Sequence, residues 1–244
     1  MLTPRTLTEL AIAAAATAAT ASVLTYAAYS AQSQLFGPTI IAGNDPDEVA
    51  LTYDDGPNDT ATPALLEVLA KHNARATFFM IGKFVRQHPA IVRQVHAAGH
   101  LIGNHTETHP WLTMLPSTEI HKELHDCSHI LEDTIGAPIH YVRFPHGARR
   151  PATLRIAREL NLKPVQWNTM GNDWQLPTAE AILARLNHGL NRARRAEKGA
   201  NILLHDGHDQ HMSANRTPTV QATDQLLTRF AREGKHAVTV DAWG

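Results

Sequence analysis

Cysteine is almost absent from this 244-residue chain: Cys127 is the only one. A single thiol excludes an internal disulfide and any zinc cage built from cysteines. It leaves export neither supported nor excluded. An excess of charge is also missing, with 22 Lys and Arg against 23 Asp and Glu and a formal net charge of −1. A nucleic-acid partner calls for a basic face, so none is expected. No internal repeat is found, and no low-complexity tract beyond the N-terminal segment. What remains is ordinary: 43% hydrophobic residues and a length that suits one large domain. The one excess is histidine, 16 in all, a residue of metal and acid–base chemistry that means nothing until positions are considered.

The N-terminus carries three readings. Arg5 precedes a weakly apolar run from Ala11 to Ala31, mostly alanine with Val23, Leu24 and Tyr26. A charged start, an apolar stretch and small residues from Ala28 to Ala31 resemble a secretory signal. The run is also long enough to span a bilayer as an uncleaved anchor. The third reading is a plain alanine-rich helix, since alanine inserts weakly and Glu9 sits at the edge. Residues 1–36 are therefore expected to be a signal peptide or membrane anchor, which places the protein outside the cytoplasm. Gly37, Pro38, Gly43, Asn44 and Pro46 mark residues 37–47 as a linker. Residues 48–244 are read as one catalytic domain.

Within that domain short apolar runs alternate with helical patterns. Strands are expected at Glu48–Tyr53, Ala76–Ile81, His100–Gly103, Tyr141–Phe144, Lys163–Trp167, Asn201–His205 and His236–Val240. Helices are expected at Thr62–His72, Pro89–Ala98, Ser117–Ile135, Pro151–Leu160, Thr178–Arg195 and Thr219–Arg232, with Ser117 as an N-cap and Gly136 as a stop. About seven strands separated by helices predict an α/β fold of parallel β/α units. The polar clusters follow the strands: Asp54-Asp55, His105–His109, Arg143, Asp173 and His205-Asp206. Sites of such folds form at the C-terminal strand ends, so five distant groups are expected at one mouth.

His105 and His109, four apart, are read as sharing one face of a helical turn, close enough to hold one ion. The same spacing at His121, His125 and His129 is read as a solvated helix face, because Lys122, Glu123 and Asp126 surround it. Asp54-Asp55 places two like charges side by side before Gly56-Pro57, a cost that a nearby cation removes. Two histidines and a carboxylate with open positions make a catalytic metal site; a turn with capping aspartates is the plainer alternative.

These segments resemble, in order, the five signatures of the NodB-like polysaccharide deacetylases, carbohydrate esterase family four. They are Thr52-Tyr53-Asp54-Asp55-Gly56-Pro57, His105–His109, Arg143-Phe144-Pro145-His146-Gly147, Asn172-Asp173-Trp174 and Ile202-Leu203-Leu204-His205-Asp206. The resemblance implies a distorted (β/α) barrel and a hydrolase that removes acetyl groups from N-acetylglucosamine-containing polysaccharide. Peptidoglycan is favoured by the export signal, chitin-type oligomers come next, and no protein partner is implied. It implies a divalent metal on Asp55, His105 and His109, zinc first and cobalt or nickel after it, and no organic cofactor. Asp54 would be the general base and Arg143 its orienting partner. His205 would be the general acid, with Asp173 behind it. The His146 backbone N–H would meet the oxyanion, while Trp174 and Leu203 would line the acetyl pocket. An O-acetyl (xylan-type) esterase and a non-catalytic carbohydrate-binding protein are the alternatives. Two positions depart from the pattern: His146 stands where an aromatic residue is usual, and Met170 where an aspartate is common. The His208–His211 segment is read as a polar loop and Cys127 as a buried helix residue; Trp111 is left between groove lining and edge packing.

Overall fold

The inner strand β1 (Glu48–Gly56) alternates two kinds of residue, and each faces a different core. Val49, Leu51 and Tyr53 join the large cluster beneath the helices, whereas Ala50 faces a smaller inner cluster with Phe79, Tyr141, Val165 and Val240. Burial on both faces is what a parallel strand covered by crossover helices requires. Each fully buried Leu or Phe of these clusters contributes about 1.5–3 kcal/mol. The inner side of β1 also carries Thr52 and Asp54, so polar chemistry begins inside the curl of the sheet.

The computed structural model describes residues 4–244; residues 1–3 of the expected leader lie outside them. After the N-terminal helix α1 (Pro4–Tyr29), β1 leads into α2 (Ala61–Lys71), β2 (Thr77–Met80), α3 (Gly82–Gln87), α4 (Pro89–Ala97) and β3 (Leu101–Asn104). Then come α5 (Ser117–Ile135), β4 (Tyr141–Val142), α6 (Pro151–Glu159), β5 (Lys163–Pro164) and β6 (Thr169–Met170). The chain ends with α7 (Ala179–Arg195), β7 (Ala200–His205), α8 (Thr217–Glu233) and β8 (His236–Val238). All pairings are parallel, in the order β5-β4-β3-β2-β1-β7-β6, with β8 added beside the first residues of β1. The seven-strand path curls into a half-barrel with free ends at β5 and β6.

The architecture is the expected one, with local differences. The run Lys163–Trp167 is a regular strand only to Pro164. The Val165 N–H still donates to the Val142 carbonyl and Val165 bridges Ile40; the sheet is left at Gln166, whose carbonyl is taken by the side chains of Arg143 and Asn201. Strand β6 and helix α3 were not foreseen; at two and six residues they are too short to show a period. Pro116, rather than Ser117, occupies the cap of α5, while Gly136 does stop it in the left-handed conformation (φ 69°). His121, His125 and His129 lie on the exposed face of α5, and Cys127 is buried, as read.

Among the described residues no helix is long and apolar enough to cross a membrane. The C-terminal end of α1 is docked on the domain. Ala27 is buried there, and Arg149 donates from its backbone N–H to the Ala28 carbonyl and from its buried guanidinium to the carbonyls of Ser30 and Ser33.

Candidate active site

Arg143, at the end of β4, lies wholly inside the half-barrel. Its guanidinium donates to Asp54 Oδ1 (2.8 Å), Thr52 Oγ1 (2.8 Å) and the Gln166 carbonyl (3.2 Å), and it stacks 4.3 Å over the Phe79 ring. Burial disfavours its charge, and Asp54 works against that loss. Neither ion could stand here alone, because removing one leaves the other unpaired in a dry interior.

Asp55 follows on the same strand end and turns to the other side of the loop, at φ 71°. Its Oδ1 lies 3.3 Å from His105 Nε2 and 3.2 Å from His109 Nε2, and the three ligand atoms fall within 4.8 Å of one another. The two histidines do not share a helical turn. Residues 105–109 form a loop after β3, with Thr106 and His109 both left-handed (φ 68° and 66°). Such a conformation is costly for a β-branched residue, of order 1–3 kcal/mol, and persists only where surroundings enforce it. Asn104 does so: its Oδ1 accepts from the Thr106 N–H (2.7 Å), and its amide ties the strand end to Leu124 and Ser128 of α5. Glu123 accepts from Thr108 through both backbone and hydroxyl, and the His109 N–H returns to Thr106 Oγ1. The i, i+4 pair thus converges through a pinned loop, not through helical geometry.

These three residues fit a divalent cation. His105 Nδ1 faces the Arg143 carbonyl at 2.7 Å, which can only accept, so the lone pair sits on Nε2 and points at Asp55. Burial lowers the pKa of His109 to about 3, so its ring is neutral and free to ligate. Burial opposes a charged His105 as well, yet Asp54 and Asp55 outweigh it and raise its pKa. Burial likewise opposes ionised Asp55, but His105, His205 and His109 hold it well below the usual carboxylate range. Asp55 Oδ1 is buried with no hydrogen-bond donor, a loss of about 1–3 kcal/mol that a cation between the three ligands would remove.

Across from the triad, His205 ends β7. Its Nδ1 bonds Asp173 Oδ1 (2.8 Å), while its backbone N–H and the Thr219 hydroxyl both donate to Asp173 Oδ2 (2.8 Å each). Burial would neutralise His205, but Asp173 prevails, aided by Asp55 and Asp54, and its pKa rises to about 9. Burial would raise Asp173 too; the same His205 contacts and Thr219 hold it below its ordinary value. Neighbouring Asp206 is pushed up to about 7 by burial, with Thr62 Oγ1 as its donor.

The triad, Asp54 and His205 open on one cavity of about 480 Å³ at the C-terminal end of the sheet. It is lined by Asp54, Asp55, His105, His109 and His205, so the structure brings the predicted metal and acid–base candidates together. Trp174, Leu203 and His146 complete its wall, and Trp174 meets the His205 ring edge-on at 4.9 Å. Arg143 and Asp173 stay behind the wall, each touching one of the groups in front. His146 is left-handed (φ 59°) and stacks on Trp111, 3.8 Å between ring centres, while it meets His109 edge-on at 4.8 Å. Trp111 thus packs behind two wall residues, His146 and Tyr29 (6.2 Å, edge-on), and does not itself line the cavity.

Residues 42–165 match the family model for polysaccharide deacetylase. The chain belongs to the polysaccharide deacetylase family. It is 38% identical over 160 residues to a chitooligosaccharide deacetylase of Azorhizobium caulinodans, covering 65% of this chain and 73% of that one. It is 34% identical over 194 residues to a peptidoglycan-N-acetylglucosamine deacetylase of Bacillus cereus, covering 79% and 85%. The crystal structure of a peptidoglycan N-acetylglucosamine deacetylase superposes with a TM-score of 0.74 at 30% identity, over 83% of this chain and 90% of that one.

In this family member several site residues escaped the reading of the sequence. Tyr29, Trp167 and Arg216 line the cavity, with Met170, noted earlier only as a departure. His208 and Asp209, in the segment read as a polar loop, also line it, and Asp209 comes 3.8 Å from His109 Nδ1. Thr219 and Thr62 hold Asp173 and Asp206 from α8 and α2. Gly207 is forced by a close approach: a Cβ there would lie 1.9 Å from the Asp55 carbonyl. Only the position of Gly207 and Asp209 next to the His205-Asp206 signature was available as a signal.

Proposed function

We propose that this protein is a metal-dependent deacetylase that hydrolyses N-acetyl groups on an N-acetylglucosamine-containing glycan, peptidoglycan before chitin-type oligomers. The observation that carries this reading is the convergence of three sets on one cavity: the Asp55–His105–His109 triad, the Asp54–Arg143 pair and the His205–Asp173 pair. An amide needs an activated nucleophile on one side and a proton for the departing amine on the other.

A divalent cation held by Asp55, His105 and His109, zinc in first place and cobalt or nickel after it, supplies Lewis acidity toward water and the acetyl carbonyl. Asp54 accepts the proton of the attacking water. Arg143 fixes Asp54 Oδ1 by a hydrogen bond of 2.8 Å and leaves Oδ2 for that proton. His205, with its pKa lifted to about 9, is protonated at neutral pH and delivers that proton to the nitrogen of the leaving sugar. Asp173 fixes Nδ1 of the same ring, so Nε2 is the delivering atom. The His146 backbone N–H serves the oxyanion, and Trp174 and Leu203 enclose the acetyl methyl. Residues 1–36 act as an export segment that stays attached, its end held to the domain by Arg149, and place this site outside the cytoplasm, where such polymers lie.

The test is acetate release by the full-length chain from N-acetylated peptidoglycan and chitin oligomers, before and after chelation. Release should stop on chelation and return with added zinc. Turnover confined to O-acetyl esters would replace the reading with an esterase. Glycan binding without acetate release at saturating zinc would replace it with a binding protein.

A further inference from the structure

A second cavity of about 410 Å³ adjoins the catalytic one, and Trp167 and Met170 belong to the walls of both. The end of α1 runs along the two: Tyr29 lines the first, while Tyr26, Ser30 and Gln32 line the second. Its far wall is α7, which presents Arg185, His188 and Arg192. Spacings of three and four residues put these side chains on one helical face. No carboxylate lines this cavity. Among the described residues neither arginine is ion-paired; Arg192 donates to the Asn168 carbonyl (2.8 Å), and Arg185 is exposed. On other helices Arg155 and Arg229 are matched at close range, with Glu159 and Glu233; what sets Arg185 and Arg192 apart is that both face one cavity. Arg192 lies in the last turn of α7, where a cation complements the helix dipole, but Arg185 sits mid-helix and gains nothing from that.

The two cavities adjoin at Trp167 and Met170, so a glycan whose acetylated residue occupies the first would bring a neighbouring sugar to the second. There it meets guanidinium groups, which favour carboxylates through paired, charge-assisted hydrogen bonds. The volume suits a sugar-sized group. We infer that this cleft is a second glycan subsite that takes a carboxylate-bearing substituent, making the protein selective for acidic over neutral N-acetylated glycans. The inference rests on the deacetylase reading for the direction of the chain through the groove. The carboxylate has two sources in a wall glycan, a lactyl ether on the sugar or a peptide attached to it.

The test is calorimetric binding of three tetrasaccharides to the metal-stripped full-length chain, which holds them without turnover. One is the neutral N-acetylglucosamine oligomer, one alternates with N-acetylmuramic acid bearing free lactyl carboxylates, and one carries peptides on those carboxylates. The acidic oligomers should bind about tenfold more tightly at low salt, and the preference should shrink as salt screens it. Arg185→Glu should abolish the preference and Arg185→Gln should reduce it; at an exposed position neither threatens the fold. A preference for the lactyl form assigns the contact to the sugar, and one seen only with peptides assigns it to the stem. Equal affinity for neutral and acidic oligomers, or a preference that survives Arg185→Glu, overturns the subsite. Failure of the deacetylase reading has a separate signature: no acetate from any of the three with the unsubstituted protein loaded with zinc, whatever the binding order.

Discussion

Replacing Asp173 with Asn separates a proton-holding role for His205 from a merely structural one. Asp173 receives three hydrogen bonds, two of them from His205, and the Nδ1 contact at 2.8 Å is charge-assisted. A hydrogen bond to a charged group is worth about 1.5–3 kcal/mol, and 1.36 kcal/mol moves a pKa by one unit. The His205 pKa, lifted to about 9, should therefore fall by roughly one to two pH units in Asp173→Asn. Part of the lift comes from Asp54 and Asp55, whose charge a bound cation offsets, so both proteins titrate somewhat below 9 when loaded. The difference between them belongs to Asp173. The general acid must be protonated, so its pKa sets the alkaline limb of kcat/KM. That limb should move down by about one to two pH units, and the gap between variant and wild type should widen with pH. Above both limbs it should reach roughly 10–100-fold beyond its value at pH 6. The assay is acetate release between pH 5 and 10.5 at saturating zinc. A loss of the same size at every pH would refute the reasoning and leave Asp173 a packing residue.

Arg143→Met should cost about 3–5 kcal/mol by stranding Asp54, a fall in Tm of roughly 6–20 °C, and adding Asp54→Asn should restore most of it without activity. Calorimetry checks this, and no recovery in the double variant would count against the ion pair as the cause. Gly207→Ala pushes a methyl group against the Asp55 carbonyl and should weaken zinc binding at least about tenfold, since an ångström-scale shift of a ligand is enough; a competition titration with a zinc dye measures it. Asp206 has its folded pKa raised to about 7, so the stability linked to its proton is full below about 3.8 and is lost as pH rises through 7. In metal-stripped protein, Asp206→Asn should escape that loss, gaining about 3 kcal/mol on wild type between pH 5 and pH 8.5; parallel Tm curves would contradict it.

Much of the scaffold was written in short-range patterns. The alternation of β1, the helical period of α5 and α7, the Thr178 hydroxyl that caps α7 and the left-handed Gly136 that ends α5 act within a few residues. Sequence reading therefore found the main strands and long helices, and it placed Asp54, Asp55, His105, His109 and His205 at strand ends. The two-residue β6 and the six-residue α3, which follow closely on other elements without a turn signal between them, were missed. The helical turn expected for His105–His109 failed for a different reason. Asn104 and Glu123 hold that loop through contacts 15 to 24 residues away, which override local preference.

The chain by itself thus determined the fold class and the identity of the groups available for chemistry, because both rest on periodicity and on residue type. Tertiary structure alone decided how those groups act. Asp54 gains its guanidinium partner from 89 residues away, and His205 gains its carboxylate from 32 residues away. Only the order of strands in the sheet brings them together. The same is true of Tyr29 and His146 in the cavity wall with Trp111 packed against both, and of Arg185 and Arg192 in the adjoining cleft. Desolvation and pairing, which set whether a side chain holds or gives up its proton, are properties of that packed neighbourhood and of no local stretch of sequence.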